Sequence, residues 1–92
     1  MYLYCIADDS GYCKFGYSRD PRSRVRALQT GHPSELFLLH SISVESDRVR
    51  ELERLLHEEI GYHRRVRGEW FLIDSKQAVD LLEWFRIRYV DS

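Results

Sequence analysis

The chain opens with two short runs rich in aromatic and aliphatic residues, Tyr2-Leu3-Tyr4-Cys5-Ile6-Ala7 and Tyr12 to Tyr17, separated by Asp8-Asp9-Ser10-Gly11. A turn cluster between two such runs constrains the fold more than any other feature, because it predicts a β-hairpin. With the turn centred near Asp9, Tyr4 falls opposite Lys14 and Cys5 opposite Cys13, since partners across an antiparallel pair have a constant summed number. Alternation then places Leu3, Cys5, Ala7, Cys13 and Phe15 on one apolar face, and Tyr2, Tyr4, Tyr12 and Lys14 with Gly16 on the other. That second face reads as a surface of phenols beside an ammonium. Gly16 leaves its backbone open to a bulky anionic ligand.

Asp20-Pro21 supplies a cap residue and a proline at the first helical position, so a helix is expected to end near Thr30-Gly31, with Val25 and Leu28 on its apolar side. From Lys14 to Arg26 five positive charges (Lys14, Arg19, Arg22, Arg24 and Arg26) stand against Asp20 alone, a composition that suits phosphate. Leu36 to Val44 reads as a third strand whose continuous apolar start suits the centre of a sheet. Ser46 is placed to cap a helix carrying Val49, Leu52, Leu56 and Ile60 at helical spacing, with Gly61 as its stop. Glu53 borders that stripe and His57 follows one turn later on the same side. His63 to Arg67 forms a second basic cluster in a loop, then Glu69 to Ile73 reads as a short strand or extended run. Asp74-Ser75 caps a last helix with Ala78, Leu81, Leu82, Phe85 and Tyr89 inward.

The expected fold class is therefore α+β: one domain over residues 1–92, a small, mostly antiparallel three-stranded sheet (2–7, 12–17, 36–44) flanked by helices at 21–30, 46–60 and 75–89. At 92 residues the chain can build one modest core. Its net charge of -1 excludes a general nucleic-acid coat, but the charge is uneven: Glu45 to Glu59 carries six acids against three arginines. No transmembrane stretch or targeting segment is visible, so an intracellular protein with reduced cysteines is expected. His32 and His40 are assigned no role, and no Cys/His spacing resembles a zinc site.

These pieces occur in the order and spacing of the GIY-YIG nuclease superfamily. Tyr4, Lys14-Phe15-Gly16, Arg24 and Glu53 fall where that family carries its first-strand tyrosine, its Tyr-Ile-Gly-like tripeptide, its helical arginine and its metal-binding glutamate. Five motifs resemble one branch more narrowly: Lys14-Phe15-Gly16-Tyr17-Ser18, Asp20-Pro21 with Arg24-Val25, Leu28-Gln29-Thr30-Gly31, Leu52-Glu53 with Leu56-His57, and Gly68-Glu69-Trp70-Phe71. It is the small phage-type DNA-binding and meiotically up-regulated gene 113 branch, and the resemblance runs from Tyr2 to about Leu72. Lys14 departs from it, standing where the name-giving motif has its second tyrosine.

The resemblance implies a metal-dependent endonuclease that hydrolyses DNA by in-line attack of water. One Mg²⁺ or Mn²⁺ would sit on Glu53, which as a lone carboxylate argues against a two-metal site. Arg24 would bind the scissile phosphate. Tyr4 is the candidate to take the proton from water if Lys14, Arg24 or the metal lowers its pKa, with Tyr17 as a second phenol and His57 beside the acid. Arg19, Arg22, Arg26, Arg64, Arg65 and Arg67 are candidate DNA contacts; a homodimer or partner protein would be needed for base specificity. Each residue also has a plainer reading. Tyr4 alone is an ordinary strand residue, Glu53 and His57 alone a surface pair worth about 0.3–0.5 kcal/mol, and the 64–67 arginines a solvated loop. The alternative function is a DNA-binding module of the same fold with little or no cleavage, which Lys14 favours and the retained Tyr4, Arg24 and Glu53 oppose.

Overall fold

The computed structural model describes residues 1–91 as an α+β unit. Strands β1 (Tyr2–Ala7) and β2 (Tyr12–Ser18) form the expected hairpin, followed by α1 (Pro21–Gln29), β3 (Phe37–Ser43), a 3-10 turn (Ser46–Arg48) and α2 (Val49–Ile60). A second 3-10 turn (Tyr62–Arg64) leads into strands β4 (Arg65–Arg67) and β5 (Trp70–Leu72), then α3 (Ser75–Phe85), which ends in one wider π turn (Arg86–Val90). The sheet is antiparallel throughout, in the order β3-β1-β2-β5-β4.

Five strands, not three, correct the expected sheet. β4 and β5 have three residues each; β5 falls within the run at 69–73 expected as a short strand or extended segment but not counted in the sheet, and the wholly exposed β4 carries no apolar alternation by which a strand is recognised. Their pairing comes from tertiary docking of β5 onto β2, and the charged β4 protects the resulting edge. β3 is likewise an edge strand, not the centre: it pairs with β1 alone, and Phe37 is 45% exposed. Its apolar start is used by two different layers, since Leu38 packs on the α1 side and Leu39 on the α2/α3 side.

The hairpin register differs too. Partners sum to 20, so Tyr4 faces Gly16, Ile6 faces Lys14, and the cysteines face Phe15 and Ala7 and not each other. The turn centres on Ser10 because Asp8 Oδ1 accepts from the N–H of both Ser10 (2.8 Å) and Tyr12 (3.1 Å), and Gly11 takes the left-handed φ of 94°. A shift of partner by two residues preserves the face of every side chain, so the predicted division of faces holds.

Leu3, Cys5, Ala7, Cys13 and Phe15 meet Leu52, Leu56, Phe71, Leu82 and Phe85 in the main core. Both cysteines are free and buried, and desolvation pushes their thiols up to about 12 (Cys5) and about 11 (Cys13), which suits inert apolar fillers. The opposite face is no open surface: α1 and the segment before β3 cover it, and Tyr4, Ile6 and Leu36 form a second core with Val25, Leu28, Leu38 and Trp70.

Local capping accounts for the helix ends. Asp20 accepts from Ser23 N–H at 3.2 Å and Asp74 from Gln77 N–H at 2.9 Å. Ser46 caps nothing; its segment winds as a 3-10 turn and the α-helix begins at Val49. Among the described residues no helix is long and apolar enough to cross a membrane.

Candidate active site at the open edge of strand β2

β2 runs seven residues, but β5 pairs only with its first three, Tyr12 to Lys14. Past that point Phe15 N–H donates to Glu69 O at 3.1 Å, and Phe15 O would be left without a strand partner. His57, largely buried on α2, fills that place by donating from Nε2 to Phe15 O at 2.8 Å. A carbonyl can only accept, so the proton is on Nε2 and Nδ1 keeps the lone pair in the neutral ring. Phe71 packs edge-on against the imidazole at 5.1 Å and fixes its orientation.

Glu53, one turn earlier on α2, reaches the same edge, and Glu69 arrives from the β4–β5 turn. Ligand atoms of Glu53, His57 and Glu69 all lie within 4.8 Å of one another. Lys14, 9% exposed, pairs with Glu69 Oε1 at 3.0 Å. Burial, then the charge and hydrogen bond of Glu69, push the Glu53 carboxyl up to about 7, while Lys14 pulls it down. Glu53 Oε2 is a buried oxygen with no hydrogen-bond partner among the described residues. An orphaned buried oxygen, a second acid and an imidazole fit a divalent cation, whose charge would offset that of the two acids.

On the Tyr4 side, Gly16 is required by close approach, not by backbone conformation. A Cβ there would lie 2.6 Å from Tyr4 Oη and 3.1 Å from Glu69 Oε1. The phenol and the acid therefore occupy the space that the sequence reading left open for a ligand. Tyr4 is 1% exposed; burial raises its pKa above the usual phenol value, and the neighbouring Arg24 guanidinium on α1 opposes that rise.

The fold thus gathers Tyr4, Lys14, Arg24, Glu53 and His57 around one edge. Tyr17 is not among them: it lies on the other face of β2, half-buried against the main core. Lys14 is directed at Glu69, so its field falls on the acids and not on the phenol. Arg19 and Arg22 line a shallow cavity with Tyr2 and Ser41, and Arg26 is an exposed neighbour of Ser23 Oγ at 2.9 Å. Arg65 and Arg67 stand exposed on β4, whereas Arg64 lines a cavity on the α2–α3 side with Glu59 and Asp80. Glu69 is the residue that sequence reasoning missed. Its signal was present as the acid of Gly68-Glu69-Trp70-Phe71, but only the pairing of β5 with β2 brings it to Glu53.

The acid pair makes stability depend on pH. Between about 4.5 and about 7 the folded protein keeps a proton on Glu53 that the unfolded chain has released. Stability in chelator is therefore expected to fall as pH rises through that window and to level off above it. Denaturant unfolding at a series of pH values should show this slope in the parent and lose most of it in Glu53→Gln.

An acid pair and an imidazole at the open edge of a strand, flanked by a buried phenol and an arginine, define an α+β protein with a candidate cation and phosphate centre. The chain belongs to the T5orf172 domain family, which it matches over residues 1–86. This is a phage-associated domain type linked to endonuclease-like activity and DNA binding. No curated protein and no solved structure matches the chain.

Proposed function

We propose that this protein is a metal-dependent DNA endonuclease of GIY-YIG type, working at a single-cation site on Glu53. The observation that carries the reading is the convergence of Glu53, His57 and Glu69 within 4.8 Å, beside Tyr4 and its Arg24 neighbour. A module that only bound DNA would gain nothing from two acids at its phosphate site, since carboxylates repel phosphate unless a cation intervenes.

Glu53, Glu69 and His57 would hold Mg²⁺ or Mn²⁺. Bound there, the cation supplies neutralisation of phosphate charge and a lowered pKa for water. Lys14 positions Glu69 and opposes the rise in the Glu53 pKa. Arg24 offers a planar fork of donors to the scissile phosphate and to the charge that grows on it as water attacks. Tyr4 keeps its proton in the free protein and so begins as a hydrogen-bond donor at the phosphate or the attacking water. It can accept a proton only once added positive charge lowers its pKa, and Arg24 already acts in that direction. Arg19, Arg22 and Arg26, with Arg65 and Arg67 of β4, supply sequence-independent phosphate contacts.

The test is nicking of supercoiled plasmid with Mg²⁺, Mn²⁺ or chelator. The parent should cut only with metal. Arg24→Ala should lose about 10²- to 10³-fold in turnover and bind DNA more weakly. DNA binding without cutting under any metal would replace this reading with the binding-module one.

A further inference from the structure

A second concavity lies beside this centre. It measures about 210 Å³ and is lined by Asp8, Tyr12, His32, Val66, Arg67 and Trp70. The two sites share a wall: Lys14 Nζ is 3.0 Å from Glu69 Oε1 and 5.9 Å from the centre of the Trp70 ring. Three aromatic rings line this cleft, with Trp70 and His32 inclined to each other at 5.7 Å. Arg67 is exposed on β4 at its rim. Rings that can stack on a base, beside a cation that can meet its phosphate, are the two components of single-strand recognition. The volume is below that of drug-sized ligand sites and suits one ring system, not a stacked pair.

Asp8 adds selectivity. Its Oδ1 is held by the turn N–H groups of Ser10 and Tyr12, while Oδ2 makes no hydrogen bond among the described residues. A carboxylate oxygen can only accept, so it matches a base that presents an exocyclic amino group, as cytosine does through N4. Within a duplex that base is stacked on both faces and its amino group is paired, so the occupant must be unpaired.

We propose that this cleft takes the base of an unpaired DNA nucleotide carrying an exocyclic amino group, next to the phosphate held at the Glu53 centre. The position of that phosphate rests on the function proposed above; base capture does not, and it is measured without metal.

The experiment uses Trp84→Phe, which leaves Trp70 as the single tryptophan reporter. Oligo-dC, oligo-dT and a blunt duplex are titrated in chelator at fixed salt. Oligo-dC should quench Trp70 and bind more tightly than oligo-dT, and the duplex should leave Trp70 unaffected. Tyr12→Ala should weaken single-strand binding about tenfold with little effect on the duplex, whereas Arg67→Ala, which removes a phosphate contact, should weaken both. Asp8→Asn keeps the turn acceptor but turns the free oxygen into a donor, so it should reverse the preference towards oligo-dT. Equal affinity for both homopolymers in the parent and Asp8→Asn, or equal loss of duplex and single-strand binding in Tyr12→Ala, would overturn the proposal. Metal-dependent cutting without a Trp70 response would remove this inference alone, whereas a Trp70 response without cutting would remove only the nuclease reading.

Discussion

Glu53→Ala should lose DNA cleavage by at least about 10²- to 10³-fold, the scale of removing a single group that stabilises the transition state, yet hold DNA at least as tightly as the parent. The two effects share one cause. The substitution removes both a cation ligand and a negative charge near the phosphate. In the free protein burial, and then the neighbouring Glu69, push the Glu53 carboxyl up to about 7, and its Oε2 has no hydrogen-bond partner among the described residues. Adding Mn²⁺ should raise the melting temperature of the parent, because a ligand that binds only the folded state stabilises it by mass action. It should leave Glu53→Ala unmoved. Glu53→Gln separates charge from shape: it fills the same space, makes no anionic ligand, and should be as inactive as the alanine variant. Cleavage at the parental rate in either variant would sink the metal assignment, and a shared loss of folding would appear in the melting curve without metal.

Much of the fold was legible because it rests on local chemistry. Asp20-Pro21 and Asp74-Ser75 announce helix starts through side-chain caps, Gly61 ends α2, and the alternation of Leu3, Cys5 and Phe15 survives even an error in hairpin register. What stayed hidden is long-range. β4 and β5 exist because one short strand docks on β2, and nothing in Arg65-Val66-Arg67 states that partner. The burial of Tyr4 required knowing that α1 folds back over the hairpin. The site divides in the same way. Tyr4, Arg24, Lys14, Glu53 and His57 were named from motif positions, and the fold brings them together. Glu69 depends on the β5 docking that the sequence does not spell out. Tyr17 follows from the same alternation as Tyr4, which puts neighbours of opposite parity on opposite faces of a strand.

Gly16→Ala is expected to reduce cleavage by about 10²-fold, the scale of a displacement of about 1 Å at a reacting centre, although it adds only a methyl group. That methyl would stand 2.6 Å from Tyr4 Oη and 2.9 Å from Tyr4 Cζ, with Glu69 Oε1 at 3.1 Å. The ring cannot swing aside, because it is packed with Ile6 and Leu36 under α1. Something must therefore shift, and either movement, of the phenol or of the acid, disturbs the same centre. Overpacking of this kind costs about 1–3 kcal/mol of stability, which chemical denaturation would measure beside the nicking rate. Combining Gly16→Ala with Tyr4→Phe removes the nearest contact while leaving the ring carbon close, so part of the stability should return and none of the activity. Full cleavage by Gly16→Ala would mean that the phenol and Glu69 can move without consequence, and the geometry of this edge would then have to be assigned to DNA binding alone.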